Sequence, residues 1–272
     1  KVEFVAPAGG GTATLALAAD VDVFSVDFTA ANVVDTFKLE LGGKNWIGNL
    51  SFAKTTAGLV VKSDGNTNYI NFLAPADDAT LKMDGTKLLS IRDGTKDAKW
   101  NAELAAGTLL AVRGENLLTG EVKMDINGGV LALPSGRFEK LELKEGGAGS
   151  TIEVDAATQD PVLKVKKVTL TNGLTMKRPT TWWKSLAAGD KVKLLEMEDS
   201  SALGGKTIVG DPADDAAATI VWDGAKALVL TAKGDLKVPE LDAKVTASGN
   251  ERVVNVTVSN DVDVVDASWR AE

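Results

Sequence analysis

The chain has 272 residues with no cysteine and no histidine, 44% hydrophobic residues and a net charge of −8. The two missing residue types exclude disulfides, thiolate nucleophiles, Ser-His-Asp and Cys-His triads and nearly all structural zinc sites. The negative charge disfavours nucleic acid as a partner. No apolar run approaches the roughly 20 residues of a membrane helix, so we expect no membrane insertion of this segment.

Short runs of alternating apolar and polar residues recur along the chain. They include residues 14–17, 21–24, 37–41, 141–143 and 254–258. Each run is bounded by Gly, Asp or Asn, which are turn formers. Because alternation of period two is the pattern of β-strands, the sequence predicts a mainly β protein.

Turn residues repeat at a nearly constant distance. Gly43, Gly65, Gly85, Gly107 and Gly129 each precede an apolar segment, at steps of 22, 20, 22 and 22, and Ser150 and Gly173 continue the series at 21 and 23. Two rows of strands accompany the turns: residues 88–91, 109–112, 130–133 and 152–154, and residues 81–83, 102–104, 122–124 and 141–143. A repeat of this length buries its apolar side only against a neighbouring copy. The sequence therefore predicts a parallel β-helix, or β-solenoid, with coils of about 21–22 residues; a β-sandwich is the alternative.

The regularity fades after Met176, which predicts a change of structure towards the C-terminus. We predict a β-solenoid over residues 1–198 and a β-rich C-terminal cap or small β-domain over residues 199–272. Within the second part, residues 210–215 are expected to form an acidic surface loop. The dipeptide Asp223-Gly224 separates two apolar runs and predicts a hairpin.

Two segments resemble the β-strand repeat of autotransporter passenger domains and related secreted parallel β-helix proteins of Gram-negative bacteria. They are the Gly-Gly-x-Leu-x-Leu unit at residues 128–133 and the leucine, glycine and acidic turn at residues 186–195. The resemblance implies a secreted or cell-surface protein involved in adhesion, surface display or glycan processing. Fold alone does not choose among these activities.

Carboxylate pairs are the strongest catalytic device left to a chain without histidine. Acidic clusters lie at residues 20–22, 77–78, 211–215 and 261–263, and their simplest interpretation is solvated turns or strand faces. Alternate carboxylates on one strand face are also candidate calcium ligands, although a full calcium-loop signature is absent. No other cofactor is expected.

Basic and aromatic residues supply candidate ligand-binding sites. Arg92, Arg113 and Arg137 follow one another at steps of 21 and 24, so they are predicted to stack on one face and hold an anionic polymer, or else to balance nearby acids. Trp182 and Trp183 are candidates for stacking on sugar rings. Neighbouring strand residues point to opposite faces, so at most one of these two is displayed if they are extended. Trp46, Trp100 and Trp222 are expected to be packing residues.

Three functions are consistent with these patterns. The leading hypothesis is a secreted or surface-exposed solenoid that binds extracellular glycoprotein or glycan. The alternative is a secreted carboxylate-dependent hydrolase acting on mucin-type glycoprotein or polysaccharide, of the aspartic-peptidase or polysaccharide-active type. The third is a purely structural shaft.

Overall fold

Alternation along each strand separates an inward apolar side from an outward polar side. In the strand Thr36–Leu41, for example, Phe37, Leu39 and Leu41 are buried, whereas Lys38 and Glu40 face outward. A computed structural model describes residues 2–3, 11–17, 20–29, 35–63, 67–85, 88–154, 156–234, 240–248 and 251–259 of the chain. Its strands form two long parallel sheets that enclose one apolar core, which confirms the predicted β-solenoid over the sandwich.

One sheet, called sheet A, contains ten strands that all run parallel. In spatial order they are β1 (Val2–Glu3), β3 (Asp22–Phe28), β5 (Trp46–Phe52), β7 (Asn68–Pro75), β9 (Leu88–Gly94), β11 (Leu109–Val112), β13 (Val130–Leu133), β15 (Thr151–Val154), β18 (Leu174–Lys177) and β21 (Ile208–Asp211). Odd and even strands alternate between the sheets over most of the chain, so each coil contributes one strand to each sheet.

The facing sheet, called sheet B, contains eleven strands. In spatial order they are β2 (Thr12–Leu17), β4 (Thr36–Leu41), β6 (Leu59–Ser63), β8 (Ala79–Asp84), β10 (Trp100–Leu104), β12 (Val122–Asn127), β14 (Gly136–Gly147), β17 (Leu163–Leu170), β20 (Lys191–Asp199), β23 (Ala227–Ala232) and β22 (Ala218–Trp222).

Two small sheets and two short helices complete the described structure. They are the pair β16 (Ala156–Ala157) and β19 (Thr181–Trp182), the pair β24 (Glu240–Ser248) and β25 (Glu251–Ser259), and the 3₁₀ helices η1 (Glu115–Leu118) and η2 (Ser201–Leu203).

In-register pairing stacks like side chains in columns inside the solenoid. One column of sheet A consists of Leu89, Leu110, Leu131, Ile152 and Met176, all buried. One column of sheet B consists of Phe37, Leu59, Leu81, Ala102, Met124, Leu143 and Val168, also buried. Because a single coil has no core of its own, each aliphatic side chain depends on the coils above and below for burial.

The predicted turn residues mark the passage from sheet B to sheet A. Gly107 lies between β10 and β11, Gly129 between β12 and β13, and Ser150 between β14 and β15. Gly107 has a φ of 76°, a conformation that favours glycine. Gly65 of the same series lies outside the described residues.

Coil length varies more than the sequence predicts. The paired residues Leu89 and Leu110 are 21 positions apart, but Val26 and Leu50 are 24 apart and Leu174 and Ile208 are 34 apart. In the last case the chain forms β19, β20 and η2 before returning to sheet A. The 21–22-residue coil therefore describes the middle of the solenoid.

Strand direction reverses at the C-terminal end of sheet B. There β23 pairs antiparallel with β20, and β22 pairs antiparallel with β23 as the hairpin predicted around Asp223-Gly224. The side chain of Asp223 accepts hydrogen bonds from the N–H groups of Ala225, Lys226 and Ala227 in that turn. The predicted boundary between the solenoid and its C-terminal cap, at residues 198 and 199, falls at the end of β20. Beyond that boundary, β21 still pairs in parallel with β18 and so continues sheet A.

Replacing Leu131 by Asp tests the stacking. Leu131 is fully buried between Leu110 and Ile152, so an unpaired carboxylate there should lower the free energy of unfolding by about 4 kcal/mol or more. Lys123→Gln, on the outer face of sheet B, should change it by less than about 0.5 kcal/mol. Urea unfolding followed by circular dichroism measures both, and similar effects of the two changes would contradict the inward stacking of Leu131.

Candidate functional site

A shallow cleft of about 260 Å³ opens on the outer side of the solenoid, near the start of sheet A. We call it the aromatic cleft; it is lined by Asp20, Asp22, Lys44, Asn45, Trp46 and Tyr69. It combines two aromatic rings with two carboxylates, one ammonium group and one amide. The lining therefore offers both apolar surface and hydrogen-bonding groups.

Strand register brings the two rings together. Asp22 pairs with Trp46, and Trp46 pairs with Tyr69, so the three residues form one outward column across three coils. The ring centroids of Trp46 and Tyr69 are 5.0 Å apart at an interplanar angle of 31°. Both side chains are half-buried, which leaves part of this aromatic surface open to solvent.

Two further residues shape the surroundings of the rings. The Arg92 guanidinium carbon lies 5.5 Å from the centroid of the Trp46 ring, within the range of a cation–π contact. The side chain of Phe24, on the neighbouring strand, is 80% exposed. Its backbone also approaches Gly48 closely, because a Cβ at position 48 would lie only 2.4 Å from the Phe24 carbonyl oxygen. Glycine is therefore required at position 48 for the close approach of these strands beside Trp46.

Polar side chains hold the turns behind the cleft. The side chain of Asp20 accepts a 2.7 Å hydrogen bond from the Lys44 N–H. Asn68 Oδ1 accepts hydrogen bonds from the backbone N–H and the side-chain amide of Asn45, and Asn68 Nδ2 donates to Ser63 Oγ. Asn45 Oδ1 is buried with no hydrogen-bond partner among the described residues.

The predicted arginine ladder is only partly formed. Arg92 lies on β9 and Arg113 directly follows β11, where its N–H donates to the Ile91 carbonyl, so these two lie on adjacent coils of sheet A. Arg137 lies on β14 in sheet B, paired with Lys164, and donates to the Asp160 carbonyl. Placing Arg137 in the ladder was wrong, because its step of 24 residues exceeds the 21-residue coil at this point.

The tryptophan pair divides between core and surface. Trp182 is buried and pairs with Ala157, whereas Trp183 is 36% exposed with the Lys184 ammonium 5.7 Å from its ring centroid. As the alternation predicts, one of the two is displayed. Neither lines the aromatic cleft.

Sequence reasoning missed Trp46 and Tyr69. Trp46 was expected to pack inside, yet it lies on the outer face, while Trp100 is fully buried and its indole N–H donates to the Leu117 carbonyl. The signal that identifies the pair is their separation of 23 residues, one coil, at outward positions of the alternating pattern.

The acidic clusters serve turns and ion pairs. Asp78 contacts Lys99 and Lys54, and hydrogen bonds from these two lysines lower its pKa. Asp214 pairs with Lys233 and Asp215 with Arg178, and the pKa of each carboxyl is lowered, chiefly by hydrogen bonds from Lys233 and from the Ala218 N–H respectively. These carboxylates stay ionised. Residues 261–263 lie outside the described residues.

Glu145 is a carboxylate inside the apolar column of sheet B. It is fully buried between Ile126 and Leu170 in register. Its Oε2 accepts from the N–H groups of residues 171, 172 and 173, and its Oε1 accepts from the Asn172 side chain. Burial alone would raise the pKa of Glu145, but these donors together lower it. Glu145 thus anchors the turn of the next coil and is already saturated by that turn.

The described residues form neither a metal-binding cluster nor a membrane-spanning helix. Within the described part of the chain, no three Asp or Glu side chains come together to hold a metal ion, so the candidate calcium ligands build no such site there. The same residues include no helix with the length and apolarity to cross a membrane.

Comparison of the chain with models of protein families, with curated proteins and with solved structures finds no match. The resemblance to autotransporter passengers therefore stays a prediction.

Glu145→Gln tests the buried anchor. Glutamine places an NH₂ group among N–H donors, so the variant should be about 2 kcal/mol less stable at pH 7. Because the folded pKa of Glu145 is lowered, its stabilisation is present above the unfolded pKa of about 4.3 and is lost as pH falls. The gap between wild type and variant should narrow below about pH 4, measured by urea unfolding across pH. A gap independent of pH would show that the ionised carboxylate contributes nothing.

Proposed function

We propose that the chain is a surface-exposed or secreted solenoid that binds an extracellular glycan in the aromatic cleft. The observation that carries this proposal is the packed, half-exposed pair Trp46 and Tyr69. Aromatic faces receive the C–H faces of sugar rings, which bury apolar area while the ring hydroxyls point sideways.

Polar groups at the edge of the rings favour a sugar over a purely apolar ligand. Asp20 and Asp22 supply acceptors for hydroxyl groups, and Lys44 supplies a donor. A hydrocarbon ligand would leave these charges desolvated without partners, at a cost of several kcal/mol. The cleft is also shallow, which suits one exposed segment of a longer glycan or of a glycoprotein.

Carboxylates elsewhere on the solenoid do not favour hydrolysis. A glycoside hydrolase needs one carboxyl group with a raised pKa to protonate the leaving oxygen. Every described carboxylate with a shifted pKa has it lowered, by hydroxyl, lysine, arginine or backbone N–H donors. Such groups accept hydrogen bonds from a ligand but do not donate protons to it.

The outer face of sheet B fits this assignment less well. Its charged side chains form ion pairs across neighbouring strands. The Lys82 ammonium lies 3.0 Å from a Glu103 carboxylate oxygen, and the Lys166 ammonium lies 2.6 Å from a Glu142 carboxylate oxygen. These pairs are exposed and each contributes little to stability. Because they already engage each other, the aromatic cleft of sheet A is the better candidate for ligand contact.

Trp46→Ala tests the proposal. We expect wild-type protein to be retained on immobilised mucin or on a member of a polysaccharide panel. Trp46→Ala should lose about five- to thirtyfold in affinity, since stacking on an aromatic ring contributes of order 1–2 kcal/mol. Trp183→Ala is the matched control, because it removes another exposed indole outside the cleft. Affinity is measured by calorimetry with soluble fragments of the retained glycan.

Three results would overturn the assignment. Equal losses for both variants would indicate non-specific adhesion by exposed indoles, and a loss only for Trp183→Ala would move the site to the C-terminal end. Release of glycan fragments that disappears in Asp22→Asn would replace binding by hydrolysis.

A further inference from the structure

The chain contains two Asn-Gly dipeptides, Asn127-Gly128 and Asn172-Gly173. Asparagine is a thermolabile residue, because the backbone nitrogen of the next residue can attack its side-chain carbonyl carbon. Glycine is the most permissive residue at that next position, since it has no side chain to hinder ring closure. The covalent structure of this chain is therefore most easily altered, by deamidation, at these two positions.

In both dipeptides a buried side chain from the adjacent coil holds the nitrogen that would attack. The Gly128 N–H donates to Ser150 Oγ at 3.0 Å, and the Gly173 N–H donates to Glu145 Oε2 at 3.1 Å. Ser150 and Glu145 are both fully buried. The nitrogen must lose its proton before it attacks, and a proton held inside the fold is reached by water only when the turn opens.

Glu145 holds more of its dipeptide than Ser150 does. Its Oε2 accepts from the backbone N–H groups of Asn172 and Gly173, and its Oε1 accepts from Asn172 Nδ2 at 3.1 Å. One carboxylate thus binds both the attacking nitrogen and the amide group that would leave. Its negative charge also disfavours loss of the Gly173 proton, because a second anion would form beside it.

We propose that Asn172 is a site of self-modification that the Glu145 carboxylate keeps closed. When the turn at residues 171–173 opens, the Gly173 nitrogen gives its proton to water and forms a bond to Cγ of Asn172. The bond from Cγ to Nδ2 breaks, and Nδ2 takes a proton from water and leaves as ammonia. A second water molecule then opens the cyclic imide, which leaves aspartate or isoaspartate at position 172.

The modification places a second carboxylate beside Glu145. Asn172 Nδ2 donates to Glu145 Oε1 in the closed turn, and deamidation replaces this donor by an oxygen. Two carboxylates in that contact repel each other and do not both remain ionised when buried. The turn between β17 and β18 therefore does not close again as before, so a single chemical event loosens the last coils of the solenoid.

Peptide mapping by mass spectrometry, during incubation of the full chain at mildly alkaline pH, measures deamidation at each asparagine. In wild type, Asn172 should react at least about tenfold more slowly than in the chain unfolded by urea. Glu145→Gln should speed the reaction of Asn172 by about tenfold or more and leave Asn127 unchanged, since hydrogen bonds to a charged group shift an opening equilibrium by such a factor. Ser150→Ala should act on Asn127 instead.

Two further variants separate release of this turn from general loss of stability. Leu39→Ala weakens the core at a distant, fully buried position and should leave the rate at Asn172 unchanged. Gly173→Ala meets no atom within 4 Å of its new Cβ, so it fits the fold. Added to Glu145→Gln, it should suppress the reaction by hindering ring closure.

Asn172→Asp reproduces the charge of the product. It should lower the urea midpoint at neutral pH, and the loss should shrink at acid pH, where protonation of one carboxyl group restores a donor. Asn172→Asp combined with Glu145→Gln should be more stable than Asn172→Asp alone, because only one carboxylate remains.

Three results would overturn the proposal. Deamidation of Asn172 in wild type as fast as in the unfolded chain would show that the turn gives no protection. Slower reaction in Glu145→Gln would show that the carboxylate promotes ring closure as a base. Equal acceleration by Glu145→Gln and Leu39→Ala would assign the reaction to global unfolding.

Discussion

In-register stacking of parallel strands is the constraint on which the rest of this structure depends. Each coil presents the same inward positions to the next, so Leu stacks on Leu and Ile on Ile through the core. Burial of these side chains drives folding only when several coils are present. The same register places outward side chains one coil apart at about 4.8 Å, and every contact on the surface follows from it.

Three polar residues inside the stack are tolerated because they bond to turns, namely Glu145, Asn45 and Asn68. Glu145 replaces an aliphatic residue in its column, and the donors of residues 171–173 compensate for its burial. Asn45 and Asn68 do the same at the turn behind the aromatic cleft. The cleft and the core thus share a support: the amides that shape the turn also fix the strand from which Trp46 projects.

The fold was predictable from sequence to a greater extent than the site. A glycine series at one coil spacing and two rows of alternation indicate a solenoid, because both signals are local and repeated. The surface cannot be derived in that way, since it depends on the register of individual coils, which varies from 19 to 34 residues. Arg92 and Arg113 are separated by the 21-residue coil of that region, so the sequence placed them correctly beside each other. Arg137 and the pair Trp46 and Tyr69 lie at other spacings, so a constant coil length misplaced Arg137 and missed the pair.

Distances between spin labels test the coil register most directly, and the absence of native cysteine allows clean labelling. Lys38 and Glu103 lie in one outward column of sheet B three coils apart, and Lys38 and Lys144 five coils apart. With cysteine labels at these positions, electron spin resonance should give distances that differ by about 10 Å, two coil spacings. A distance to position 144 no longer than that to position 103 would contradict the stacked register and the cleft built upon it.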